Sequence, residues 1–169
     1  MHASVNRDSE NRETVLVRRR LPTSTQINAL AGKIGGLTCV INALNDESPE
    51  VRRSSAWALG EIGPPACDAA IALANVLVDP NEHVRQKAAE AIGRIGPSAE
   101  AAVPALIDML KKEADTVESI FAMLALGKIG VAARAALPIL QARLDMSEEV
   151  ESLRWAISQI DPKVVDGAG

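Results

Sequence analysis

Apolar positions recur along most of this chain at helical spacing. Val103, Leu106, Ile107 and Leu110 fall at i, i+3, i+4 and i+7, which places one apolar stripe along an α-helix. Leu37, Val40, Ile41 and Leu44 write the same stripe, as do Ala70, Leu73 and Leu77, and Leu137, Leu140 and Leu144. After each comes a short polar turn and then a second stripe. These are Val51, Ser55, Leu59 and Ile62; Val84, Ala88, Ile92 and Ile95; and Val150, Leu153, Ile157 and Ile160. The pattern predicts pairs of short helices. Ser48-Pro49 and Asp79-Pro80 are expected to open second helices as an N-cap followed by a first-turn proline. Ser147 is expected to cap the last one, and Asp115 with Glu118 to form a capping box.

The pairs repeat. Leu59-Gly60-Glu61-Ile62-Gly63, Ile92-Gly93-Arg94-Ile95-Gly96 and Leu126-Gly127-Lys128-Ile129-Gly130 are one phrase at spacings of 33 and 34 residues. A weaker copy stands at Ala31–Gly35 and a degenerate one at Ile157–Asp161. The closing Gly63, Gly96 and Gly130 sit where a helix C-terminus favours positive φ. The units are therefore about 22–35 (a half repeat), 36–63, 64–96, 97–130 and 131–161. They form one repeat domain over 21–161, with the half repeat and the degenerate copy as end caps. Residues 1–20 carry no helical period and read as a flexible basic arm; 162–169 read as a tail starting at helix-stopping Pro162.

Composition agrees with stacked helices. The 169 residues are 47% hydrophobic but only 2% aromatic, with 28 alanines and no tyrosine. That stock disfavours an all-β fold, whose pleated faces use aromatic and β-branched residues. Small side chains instead let helices approach closely. Net charge is −4, divided unevenly: residues 1–20 carry +2 and the remainder −6. An acidic body argues against a general nucleic-acid binder. No uninterrupted apolar run is long enough for a membrane span, and the polar start has no signal-peptide core. Cys39 and Cys67 fall in apolar helical stretches and read as buried free thiols, which suits a reducing, cytoplasmic setting.

The string from Glu50 to Gly63, EVRRSSAWALGEIG, resembles the second helix of a HEAT repeat, most closely the phycobilisome-lyase-type (PBS lyase) HEAT-like class. Ala101–Leu106 and Ala135–Leu140 resemble that family's first helix, including its kinking prolines, here Pro104 and Pro138. The resemblance covers about residues 22–161. It implies an all-α, right-handed solenoid of four helix pairs plus an N-terminal half repeat. It also implies that Asp46 with Arg52, and Asp79 with Arg85, belong to a ladder tying turn to helix between repeats. The third and fourth units lose that ladder, with Glu118 and Glu151 near the Arg positions. Some HEAT-like hydroxylases bind iron through His-Glu dyads at the start of the second helix. Arg53-Ser54 and Gln86-Lys87 hold those places here, so no metal or other cofactor is expected.

Little else suggests catalysis. His2 and His83 have no partner at ligand spacing, and His83 is expected to face solvent. The glycines follow the repeat and do not form a phosphate loop. Glu113, Asp115, Glu118, Glu148, Glu149 and Glu151 cap helices by complementing their dipoles, or form an acidic edge for a basic partner. The Arg18-Arg19-Arg20 run reads as part of a solvated arm.

The more informative positions lie off the core stripe of each second helix, where the solenoid's concave side is expected. They are Arg53, Trp57 and Glu61; Gln86, Glu90 and Arg94; Ile120, Leu124 and Lys128; and Glu151, Trp155 and Gln159. Trp57, Leu124 and Trp155 hold equivalent places, with Ile120 one turn earlier. Apolar residues rimmed by charge suit a binding patch, although each Trp can instead fold onto a neighbouring helix as core. The expected function is a non-enzymatic interaction or scaffold module. Trp57, Ile120, Leu124 and Trp155 would anchor a basic or amphipathic protein segment, and Arg53, Glu61, Glu90, Arg94, Lys128 and Glu151 would supply polar contacts. The resemblance leaves two alternatives: a phycobilin-lyase-type enzyme or subunit, and, opposed by the charge, a nucleic-acid binder.

Overall fold

The computed structural model describes residues 36–112, 116–144 and 150–165, and every regular element in them is helical. Four pairs follow one another: α1 (Gly36–Asn42) with α2 (Pro49–Ile62), α3 (Ala70–Val76) with α4 (Glu82–Ile95), α5 (Val103–Lys112) with α6 (Val117–Ile129), and α7 (Leu137–Leu144) with α8 (Val150–Ile160). The basic arm and the half repeat expected before residue 36 lie outside the described residues, as do Glu113, Asp115, Ser147, Glu148 and Glu149.

The apolar stripes meet in one continuous core. Leu44, Leu59, Leu73, Val84, Ile92, Leu106, Leu126, Leu140 and Ile160 are essentially without solvent exposure. Successive second helices pack along one another, whereas successive first helices touch only marginally. The closeness comes from small residues. A methyl group placed on Gly60 would meet Ala91 Cα at 3.0 Å, and one on Gly93 would meet Ala125 Cα at 3.1 Å. Helices α2, α4 and α6 each end at a glycine with φ between 68° and 73° and ψ near −140°, a conformation that side chains resist.

From each such glycine a tight 3-10 segment leads into the next first helix: Pro64–Ala69, Gly96–Ala102 and Gly130–Ala136. Each bends at a buried alanine, Ala66, Ala99 or Ala133. This corrects the role of Pro104 and Pro138 as kinking residues. Both lie downstream of the bend, in the first turn of α5 and α7, where a missing N–H costs nothing. The unit with Ile71 at that place bends equally.

Other local expectations also shift. Ser48 does stand at the N-cap of α2 with Pro49 after it, but its hydroxyl bonds the Glu50 carboxylate. Helix α4 starts two residues later than Asp79-Pro80 implies. Its N-cap is Asn81, whose side-chain oxygen accepts from the His83 and Val84 amides. The N-cap of α6 is Thr116, whose hydroxyl accepts from the Ser119 amide, and the Glu118 carboxylate accepts from Arg85; Asp115 lies outside the described residues. Pro162 ends α8 and opens a further single turn, α9 (Pro162–Val165). Residues 117–144 carry enough apolar helix by length and composition to cross a membrane. Gly130 and the bend at Ala133 divide that stretch into α6 and α7, both packed with the core.

Candidate functional site

Two charged systems occupy different sides of the stack. The first runs along the turns. The Arg52 guanidinium donates to both Asp79 carboxylate oxygens, at 2.6 and 2.9 Å, and to the carbonyls of Asp46 and Glu47 in its own unit. Asp79 also accepts the Asn81 amide. The Arg52 guanidinium holds the Asp79 carboxyl below its ordinary range, against the opposing effect of burial. One unit on, Arg85 donates to the carbonyls of Asp79 and Pro80 and pairs with Glu118 at 2.9 Å. The ladder therefore continues into the third unit. Glu118, one residue before the place held by Arg52 and Arg85 in their units, accepts from the preceding arginine. It is buried, so it cannot belong to an exposed acidic edge. This system ties units together and exposes little chemistry.

The second system lies on the second helices. Lys87 pairs with Glu90 at 2.6 Å, Glu90 with Arg94 at 3.0 Å, and Arg94 with Glu61 of the preceding unit. The Lys87 ammonium, with Arg94 and Lys128 behind it, holds the Glu90 carboxyl below its ordinary range. Trp57 is half-buried beside this cluster, in a shallow notch shared with Gly60, Lys87, Ala91 and Arg94. Ile120 and Leu124 are half-buried on α6; Arg53, Lys128, Glu151 and Gln159 are exposed. Trp155 keeps 39% of its surface exposed. Neither tryptophan is fully enclosed, and no residue expected on this face is buried in the core. The arrangement departs from an apolar patch with a polar rim. Glu61, Glu90 and Arg94 satisfy one another in the middle, with Trp57 beside them and Leu124 and Trp155 farther along.

The two cysteines are placed differently from expectation, whereas His83 faces solvent as expected. Cys39 and Cys67 are both exposed free thiols. Cys39 lies off the Leu37–Val40–Leu44 stripe of α1, and Cys67 lies in a 3-10 segment whose inward positions are Ala66 and Ala69. Their burial thus lends no support to a reducing compartment. His83 is exposed in the first turn of α4, with only Glu82 nearby at 3.7 Å.

The sequence assigns the closing glycine of the repeated phrase a positive-φ role and the small residues of the second helix, glycine included, a role in close helix approach. The inner glycine is as informative, because the next helix lays a side chain across it. A methyl on Gly60 would lie 3.4 Å from Arg94 Cδ, and one on Gly93 would lie 3.3 Å from Lys128 Cδ. One on Gly127 would fall only 2.6 Å from the Trp155 ring. The 33-residue spacing of that glycine was the available signal. Beyond these residues, at the C-terminal ends of the second helices, is an open groove of about 600 Å³. Pro64, Pro97, Val131, Lys128, Trp155 and Gln159 are among its lining residues.

Comparisons with known proteins bear on fold and family. The profile of a family described as HEAT repeats matches residues 39–123. No curated protein matches. A solved structure of the complex of CpcE and CpcF of phycocyanin lyase from Nostoc sp. PCC7120 is similar, with a TM-score of 0.64 and 25% identity over 82% of this chain. This chain spans 57% of that one. Two crystal structures of engineered proteins are similar with TM-scores of 0.66 and 0.60, at 23% and 22% identity, over 86% and 90% of this chain. It spans 68% and 44% of those chains.

Proposed function

The chain belongs to the HEAT-repeat family, and from that premise we propose that it is a non-enzymatic interaction or scaffold module. It seats a segment of a partner protein on the exposed face of its second helices. One observation carries this reading. The core is complete in aliphatic and small residues, yet the chain's two tryptophans stand at equivalent places outside it, one of them 39% exposed. Large rings left on a surface beside satisfied charges suit anchoring of a partner. Trp57, Leu124 and Trp155, with Ile120 beside them, supply the apolar contacts. Arg53 and Lys128 are exposed at its margin, as is Glu151. The charges of Glu61, Glu90 and Arg94 are already paired, so they orient a partner more than they attract one.

The test is capture from the native host with immobilised wild type and with a variant carrying Trp57→Ala, Leu124→Ala and Trp155→Ala. The expected result is a set of proteins retained by the wild type and lost from the variant, at unchanged helicity. Retention of the same set by both would reject this face.

A second reading, a phycobilin-lyase-type enzyme or subunit, rests on the similarity to a chain of the phycocyanin lyase complex. Adding a free bilin distinguishes it. The scaffold reading predicts no change in the bilin absorption spectrum, and a protein-dependent change favours the lyase reading.

A further inference from the structure

We propose that the groove at the C-terminal ends of the second helices seats an extended acidic segment of a partner protein, one apolar side chain resting on Trp155 and a carboxylate over Lys128. This deepens the interaction-module reading and rests on it. The groove crosses three units. Pro64, Pro97 and Val131 each follow a closing glycine and are exposed, so they recur along its length as an apolar ridge. An open floor running across three units accommodates an extended chain, whose side chains alternate between floor and solvent. Trp155 lies across Gly127, where even a methyl would strike its ring. The glycine thus lets the indole lie close against α6, and Trp155 also lines the groove.

The sign of the partner follows from the lining charges. Arg94 and Lys128 line the groove, and no carboxylate does. Arg94 is neutralised by Glu61 and Glu90. Lys128 is exposed and forms no ion pair among the described residues; it acts on Glu90 only at longer range, and Lys87, Arg94 and Lys128 set against Glu61 and Glu90 leave one positive charge over. The body's net charge points the other way, toward a basic partner. Screening decides between them: at physiological salt a charge acts over about 8 Å, so a contacting ammonium outweighs a diffuse surplus elsewhere. The Gln159 amide, whose described partner is Ser158 Oγ at a long 3.4 Å, remains available for the backbone of an extended occupant.

The test is selection of short random peptides displayed on phage against the full chain, followed by binding of the selected peptides to variants. The expected consensus combines Asp or Glu with Leu, Phe or another large apolar residue. Binding of those peptides should weaken about tenfold or more in both Lys128→Glu and Trp155→Ala, and hold in Lys111→Ala, an exposed lysine of α5 outside the groove. Lys128→Gln, which removes charge without reversing it, guards against a folding defect and should weaken binding less. A basic consensus, or an acidic one indifferent to Lys128 and Trp155, overturns the groove assignment and leaves the broader module reading standing. Recovery of no peptide from a folded chain overturns both.

Discussion

Asp79 shows how much one residue can carry in a repeat. Its carboxylate joins two units through Arg52 and closes its own turn through Asn81. Both ion-pair partners are largely buried, so removing one strands the other in a poorly solvated place. Asp79→Asn is expected to cost about 3 kcal/mol in urea unfolding. Asp46→Asn, which keeps an oxygen for the exposed Ser48 amide and loses only the charge, should cost about 1 kcal/mol or less. The pH dependence follows from the lowered pKa of Asp79. A carboxyl held below its unfolded value stabilises the fold above that value. The contribution fades as pH falls through the lowered one. Wild-type stability should therefore decline below about pH 4, and more steeply than that of Asp79→Asn. Glu90, lowered chiefly by Lys87, contributes in the same direction.

At the scale of the helix, spacing sets the architecture and side-chain size sets the distance between helices. The stripes of Leu, Ile and Val and the closing glycines were legible because helical period and positive φ each leave a local mark. The ladder's extension to Glu118 was not, since it depends on Arg85, a whole unit away. The bends at Ala66, Ala99 and Ala133 were equally hidden, because an alanine's burial is a property of the stack. The inner glycines could have been read, and they make a sharp prediction. Gly93→Leu must push α4 from α6, because even a methyl there lies 3.1 Å from the Ala125 backbone. Overpacking should cost about 3 kcal/mol or more despite leucine's better helix propensity, as measured by chemical unfolding.

Across the whole molecule the units form a quasi-linear stack, each held by its neighbours through core, ladder and glycine contacts. Such a stack needs no aromatic ring to close its core, which is why the low aromatic content was informative. The sequence put both tryptophans off the core stripe of their second helices and left open whether each folds onto a neighbouring helix, as Trp155 partly does against Gly127. It did not reveal that the charges between them are paired, because Glu61 and Arg94 are 33 residues apart. The central claim is that this face exists to hold a partner. Because the chain has two tryptophans, 5-fluorotryptophan labelling gives a fluorine spectrum with one resonance for each. The account predicts that both resonances shift when a captured partner is added, Trp155 at least as strongly as Trp57. A saturated complex that leaves both resonances unmoved would place the partner elsewhere on the solenoid and contradict the account.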